Sequence, residues 1–164
     1  MKASTFIILT ILLSNTSIYA QQNNKPAPHT SKHHIALFNG ATTNFSHKST
    51  SYTVGIDYAY RFSKLIGAGL LVEYIAAEPD ETLVGIPVIA HPYKGSKIFV
   101  APMAAFAEDH HAAGHDGKRE GSFAFRIGLG YDFHLGSLSI GPAVDFDFGK
   151  TEAINYGVVI GFGF

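Results

Sequence analysis

Strict alternation of side-chain character in the last twelve residues, 153–164, is the feature that most constrains the fold of this chain. Every second position back from Phe164 is aliphatic or aromatic, and the positions between are Gly, Ala, Asn or Val. Side chains on a β-strand alternate between two faces, so the segment predicts a strand with one bulky apolar face. A strand half exposed to water usually carries polar side chains on its other face. Here that face carries Gly157, Gly161 and Gly163, which indicates a crowded environment instead of water.

The same period of two recurs upstream and predicts seven further strands. The first is the weakest, and the fifth is apolar on both faces, so the fifth cannot be phased. No helical period competes with this pattern. The eight predicted strands are about 33–45, 52–62, 66–74, 83–93, 97–108, 123–134, 138–149 and 153–164.

The N-terminal residues precede this pattern and predict an export signal. Lys2 is followed by an apolar run over residues 6–13, and the stretch 17–20 ends in the small residue Ala20 before Gln21. This arrangement is typical of a secretory signal peptide, residues 1–20, cleaved after Ala20. The alternative is a membrane-anchor helix, but the run is shorter than the roughly 20 apolar residues that a span needs. Residues 21–32 are polar and predict a flexible leader, which leaves residues 33–164 for one folded domain.

Composition excludes several classes of function. The net charge is −1 and no basic stripe occurs, so we expect no nucleic-acid binding. The chain has no cysteine, so an exported protein of this sequence uses no disulfide. No pattern predicts a cofactor.

The connections between the predicted strands alternate in length. Those at 63–64, 94–96 and 135–137 are tight, whereas those at 46–51, 77–82, 109–121 and 150–152 are mostly longer and more polar. An even number of strands with this asymmetry is typical of a transmembrane barrel. The predicted fold class is therefore all-β, an eight-stranded antiparallel up-and-down transmembrane β-barrel. The alternative is a soluble barrel with an apolar interior.

The second face of the strands favours the membrane barrel. It carries charged residues among ten glycines, and glycines would weaken water-exposed strands without any gain. Inside a narrow barrel they leave room for long side chains, so we expect Arg61 and Arg126 to pair with acidic residues across the lumen. The apolar face carries Tyr and Phe near both ends, as interfacial girdles require. The predicted polar network of the lumen comprises Asp57, Arg61, Glu73, Arg126, Asp132, Asp145 and Asp147.

With these features the chain resembles the OmpA/OmpX-like group of small eight-stranded outer-membrane proteins of Gram-negative bacteria. The resemblance covers about residues 35–164 and includes the terminal Gly-Phe-Gly-Phe. It implies an outer-membrane location, contact with lipid and lipopolysaccharide, and recognition of the last strand by the barrel-assembly machinery. Phe164, with Phe162, matches the aromatic signal that this machinery reads. We expect a monomer.

Three patterns could carry further chemistry. The segment 108–120 offers His110, His111, His115 and Asp116 as candidate metal ligands, although polar loops often have such spacing. The charged lumen could line a pore, but eight strands leave an interior that side chains can fill. Lipid A-modifying barrels use a Ser–His pair, and no matching motif surrounds the serines and histidines of this chain.

We therefore predict a non-catalytic protein with a structural or surface-interaction role through its extracellular loops. The alternatives are a narrow channel or, less favoured, a lipid A-modifying enzyme.

Overall fold

The computed structural model describes residues 31–108, 120–149 and 152–164, and every regular element in these ranges is a β-strand. Within the same ranges, no helix is long and apolar enough to cross a membrane. The strands are His33–Asn44 (β1), Ser49–Arg61 (β2), Ile66–Ala76 (β3), Asp80–Gly85 (β4), Val88–Ala90 (β5), Ser96–Glu108 (β6), Glu120–Tyr131 (β7), Phe133–Leu135 (β8), Leu138–Gly149 (β9) and Ala153–Gly163 (β10).

These strands form one closed antiparallel barrel. Neighbours in the barrel follow chain order, and β10 returns to pair with β1 from His34↔Gly163 to Asn44↔Ala153. The elements β4 and β5 lie end to end between β3 and β6, and β7 and β8 lie end to end beside β9. Each of these two pairs is one barrel strand, so the predicted eight-stranded up-and-down barrel is confirmed.

The break between β4 and β5 follows from a proline. Pro87 has no N–H to donate, but its carbonyl accepts a hydrogen bond from the Gly69 N–H at 2.9 Å. The preceding Ile86 donates its N–H to the Pro102 carbonyl of β6 at 3.1 Å. Pairing with both neighbours therefore continues through the interruption, and the barrel stays closed there.

The faces of the strands follow the predicted alternation. In β2, Ile56 and Tyr58 point outward while Thr53 and Gly55 are buried inside.

The structure also assigns the phase of the fifth predicted strand, which the sequence left open. In β6, Ala101, Met103 and Ala105 are buried, whereas Ile98, Val100 and Phe106 lie outside. The alternation is hard to read there because the inward residues are themselves apolar.

Aromatic rings surround the end of the barrel that has the short turns. Tyr131 and Phe133 lie 4.8 Å apart between ring centroids in an edge-to-face arrangement, and Phe162 and Phe164 lie 6.2 Å apart. His33 at the start of β1 stacks on Phe164 with centroids 5.5 Å apart. These contacts place aromatic side chains across the seam between the first and last strands.

Two connections predicted to be long are short, and this part of the prediction is wrong. β2 begins at Ser49, so the turn before it spans only residues 45–48, and β4 begins at Asp80, so the preceding turn spans 77–79. The strands extend further because their polar rim residues pair as strand residues do: the Thr43 and Thr50 hydroxyls lie 2.9 Å apart across β1 and β2. A rim that is wet on both faces shows no apolar alternation, so its strand character is hidden in the sequence. The connection at 109–119 lies outside the described residues.

The tight turns predicted at the other end are present. Gly95 and Gly136 occupy them with φ of +79° and +71°, values in the left-handed region where side chains other than glycine are strained. A Cβ on Gly95 would also lie 2.6 Å from the Asp132 carbonyl oxygen. Two residues lie between the end of β8 and the start of β9, and five lie between the end of β5 and the start of β6. We call this end of the barrel the short-turn mouth and the other the long-loop mouth.

Candidate functional site

A buried arginine lies at the centre of the lumen. Arg126 projects inward from β7 and is 0% exposed. Its Nε donates to Asp147 Oδ1 at 2.6 Å and its Nη2 to Asp147 Oδ2 at 2.9 Å, a two-bond contact between register partners on β7 and β9. Its Nη1 donates to Glu73 Oε2 at 2.6 Å. Because β3 is not a sheet neighbour of β7, the bond to Glu73 crosses the lumen and ties opposite walls together.

Polar side chains extend this contact around the wall. Asn155 on β10 donates its amide to Asp147 Oδ2 at 2.8 Å. The amide oxygen of Asn155 accepts a hydrogen bond from Thr42 on β1, whose hydroxyl also bonds to Thr53 on β2. With Arg126 and Glu73 these residues form a continuous hydrogen-bonded chain, which we call the lumen network: Thr53, Thr42, Asn155, Asp147, Arg126 and Glu73. It connects six of the eight barrel strands, so most buried polar groups at this level have the partners that burial requires.

Another part of the lumen wall is apolar. A cluster of buried side chains from β3, β4 and β6 packs beside the network, and it consists of Leu71, Ile75, Leu83, Ala101, Met103 and Ala105. The interior is therefore divided into a polar arc and an apolar arc. Packing both arcs to this extent leaves the middle of the barrel filled, as expected for eight strands.

Asp145 is the least well bonded carboxylate of the interior. It is buried on β9, and its Oδ2 lies 3.8 Å from Arg126 Nη1, beyond hydrogen-bond distance. Among the described residues, its Oδ1 has no hydrogen-bond partner, and the same holds for Asp57 Oδ1. Asp145 therefore adds a carboxylate to the lumen, but it lacks the close hydrogen bonds that offset the cost of burial at Asp147.

A second group of ionisable residues lies toward the short-turn mouth. Lys97 Nζ and Asp132 Oδ1 lie 4.0 Å apart. The Arg61 guanidinium donates from Nη2 to His91 Nδ1 at 3.4 Å, so its expected pairing with an acidic residue is wrong for the described part of the chain. With Asp57, these residues line an internal cavity of about 50 Å³ below the lumen network.

The two mouths of the barrel differ in charge. A cavity of about 780 Å³ at the long-loop mouth is lined by Glu78, Asp80, Glu81 and Asp147, with His47 as a basic residue. A cavity of about 270 Å³ at the short-turn mouth is lined by basic residues. Acidic and basic mouths are thus separated by the packed middle of the barrel.

The predicted lumen residues divide into three groups. Glu73, Arg126 and Asp147 bond directly, Asp145 lies beside them, and Asp57, Arg61 and Asp132 lie nearer the short-turn mouth. Sequence reasoning missed the polar residues that complete the network: Asn155, Thr42 and Thr53. The alternation that defines the inward face contains them, but only the structure reveals that they bond to one another.

The candidate metal ligands His110, His111, His115 and Asp116 lie outside the described residues. Within the described ranges, no group of three or more His, Asp or Glu side chains is arranged to hold a metal ion.

A serine–histidine contact does occur inside the barrel. His34 Nε2 lies 3.2 Å from Ser139 Oγ near the short-turn mouth. Gly161 makes room for this pair, because a Cβ there would collide with the His34 ring. Nucleophilic catalysis also needs a third group that orients the base, and among the described residues no hydrogen bond to His34 Nδ1 supplies one. The pair therefore satisfies two polar side chains and does not by itself form a catalytic arrangement.

No protein-family model matches the chain, and no curated protein matches its sequence. Solved structures do match its fold. The N-terminal β-barrel domain of Pseudomonas aeruginosa OprF matches with a TM-score of 0.55 and 16% identity, over 80% of this chain and 97% of that domain. Neisserial surface protein A matches with a TM-score of 0.53 and 9% identity, over 80% and 96% of the two chains. Ail of Yersinia pestis, solved with the heparin analogue sucrose octasulfate, matches with a TM-score of 0.51 and 12% identity, over 82% and 97%.

These matches show that the chain shares the fold of small eight-stranded outer-membrane barrels. At such low identities the likeness concerns the fold alone.

The different bonding of two neighbouring inward aspartates leads to a prediction. We expect Asp147→Asn to lower the free energy of unfolding by about 3–5 kcal/mol, because it breaks a buried two-bond contact and leaves Arg126 incompletely paired. Asp145→Asn should cost less than about 1 kcal/mol, because that carboxylate has only a distant contact to lose. Urea-induced unfolding of the refolded protein in detergent micelles measures both. Equal losses in the two variants would contradict the assigned roles.

Proposed function

We propose that this protein is an outer-membrane β-barrel of a Gram-negative bacterium, without catalytic activity, with a structural or surface-interaction role through its long-loop end. The observation that carries the proposal is a closed barrel whose apolar face is outside and whose charged face is inside. Among the described residues, thirty-four large hydrophobic side chains are exposed, whereas Arg126 and Glu73 are buried. A soluble barrel has the reverse arrangement, and soluble monomers rarely expose continuous apolar patches above a few hundred Å².

Closure of the sheet supports the same proposal. Lipid offers no hydrogen bonds to backbone groups, so a chain that spans a membrane must bond all of these groups internally. Only helices and closed barrels do so. The pairing of β1 with β10 leaves this sheet without a free edge. The N-terminal sequence is consistent with export across the inner membrane, since residues 1–20 have the pattern of a signal peptide.

An epitope experiment tests location and orientation together. We expect a tag inserted after Gly114, in the connection 109–119, to be labelled by antibody on intact cells. A tag inserted after Gly136, in a short turn, should be labelled only after the cells are permeabilised. Both proteins must retain heat-modifiable migration on a gel, which reports a folded barrel. Recovery of the protein in the soluble periplasmic fraction, or labelling of the second tag on intact cells, would contradict the proposal.

The filled lumen favours a structural role over a channel. The lumen network and the apolar cluster occupy opposite arcs of the interior, and a cavity opens from each mouth. Ion passage would require Arg126 to leave its buried partners, which is costly.

Conductance measurements can therefore separate the two functions. In planar lipid bilayers we expect no stepwise currents from the wild-type protein at moderate voltage. Replacing both members of one pair, Arg126→Ala with Asp147→Ala, removes the block without changing the net charge of the lumen and should produce currents. Wild-type steps as large as those of the double variant would establish a channel instead.

Recognition by the barrel-assembly machinery is a further part of the proposal. Phe164 follows β10 and is 61% exposed on the outside of the folded barrel. Its backbone also closes the seam, since the Phe164 N–H donates to the His33 carbonyl at 2.9 Å and the His33 N–H to the Phe164 carbonyl at 3.2 Å. The ring could be removed without breaking these backbone bonds.

We expect Phe164→Ala to reduce the amount of heat-modifiable protein that reaches the outer membrane in cells. Phe62→Ala is the matched control, because Phe62 is an equally exposed aromatic residue at the same mouth. Its loss should leave assembly near the wild-type level. Similar assembly of the two variants would assign Phe164 a role in lipid contact alone.

The charge of the long-loop mouth bears on the class of surface partner. Ail was solved with a sulfated heparin analogue. The described lining of the long-loop cavity in this protein includes Glu78, Glu81 and Asp147. Carboxylates repel sulfated polymers. The long-loop mouth of this protein therefore favours a neutral or cationic partner.

A further inference from the structure

The short-turn mouth holds cationic side chains that the lumen network does not use. Its cavity of about 270 Å³ is lined by residues from several turns and strands, and within the described ranges none of the lining residues is Asp or Glu. The basic residues that line it are His34, Arg61, Lys64, His91, Lys94 and His134.

The chain supplies little negative charge to balance them. Asp132 lies deeper, in the cavity that Arg61 and His91 also line, and its Oδ1 is 4.0 Å from Lys97 Nζ. Arg61 donates to His91, and among the described residues no carboxylate lies within ion-pair distance of its guanidinium. The first 32 residues contain no Asp or Glu, so the segment that leads into β1 provides no counter-ion either.

Backbone hydrogen bonds fix the chain at Arg61 and His91. The Arg61 N–H donates to the Lys32 carbonyl at 2.8 Å, and the His91 N–H donates to the Leu65 carbonyl at 2.8 Å. Arg61 is only partly exposed, whereas Lys64 and Lys94 lie in exposed turns at the rim. A guanidinium held at the base of a cavity presents planar donors that match the oxygens of phosphate, and flexible lysines above it add charge.

We propose that the short-turn mouth is a binding site for a phosphate group, with Arg61 at its base and Lys64 and Lys94 at its rim. Two sources fit this chemistry. A free phosphorylated anion could enter from solution, or the headgroup of an anionic phospholipid could reach the rim, because the turns that carry the lysines also expose Phe62, Leu65 and Tyr93. The inference concerns the mouth itself and does not depend on the compartment that this mouth faces.

Calorimetric titration of pyrophosphate tests the site in the full-length protein. The protein is placed in nanodiscs of phosphatidylcholine at physiological ionic strength, where weak surface attraction is largely screened. We expect saturable binding that weakens about tenfold in Arg61→Gln, as loss of a charge-assisted contact predicts. The double variant Lys64→Gln/Lys94→Gln should weaken binding severalfold. Lys48→Gln, which removes one exposed lysine at the opposite mouth, should leave affinity unchanged.

Each variant must show heat-modifiable migration, and the double lysine variant alone decides the matter if Arg61→Gln does not fold. Absence of saturable binding by the wild-type protein, or equal affinities in the wild type and the short-turn variants, would overturn the proposal.

A second titration in phosphatidylglycerol nanodiscs identifies the source of the phosphate group. Weaker pyrophosphate binding there than in phosphatidylcholine indicates competition by the headgroup if the difference disappears in the double lysine variant. A difference that persists in the variant, or no difference, assigns the site to free anions.

Discussion

The buried guanidinium of Arg126 is the interaction on which the interior depends. Moving such a charge out of water costs several kcal/mol, and only close, well-aligned carboxylates recover that cost. Asp147 supplies alignment from the neighbouring strand, and Glu73 supplies it from across the lumen. These two carboxylates reach Arg126 only with the observed register of β7 against β9 and with the observed position of β3 in the barrel. A slip of one residue would turn every one of these side chains outward, so the network also selects the pairing of the strands.

The narrowness of the lumen follows from the same network. A guanidinium on one wall reaches a carboxylate on the opposite wall only when the barrel is small, and a small barrel has space for few large residues. Glycine therefore faces the network on other strands: a Cβ on Gly55 would lie 2.5 Å from Glu73 Cγ, and one on Gly128 would lie 2.5 Å from Asp145 Oδ1. The glycines of the last strand have other neighbours. A Cβ on Gly157 would collide with the Asn39 backbone of β1, and one on Gly161 would collide with the His34 ring and Ser139 Oγ. The expectation that these glycines make room for charged side chains is therefore not met on this strand.

The alternation of faces was predictable because it depends on local backbone geometry, and in most strands the two sets of residues differ sharply. Strand β6 could not be phased because Met103 and its inward neighbours are as apolar as the outward residues. The start of β2 around Thr50 was missed because both of its faces are polar. Pairing partners were only partly predictable. Arg126 meets a carboxylate because the neighbouring strand carries Asp147 at the same level. Arg61 lies beside His91 instead. The sequence did not predict this contact because it gives no distances across the lumen.

The separation of charge between the two mouths is a physical consequence of filling the middle. Asp147 contributes both to the lumen network and to the acidic cavity above it, while Asp132 and Lys97 balance each other below. The described lining is mostly acidic at one mouth and basic at the other, and this is tolerated because both mouths are open to water, where repulsion is weak. Within the packed middle a similar concentration of like charge would be prohibitive. The barrel therefore joins two surfaces of different described charge through a middle in which carboxylates from two strands hold Arg126.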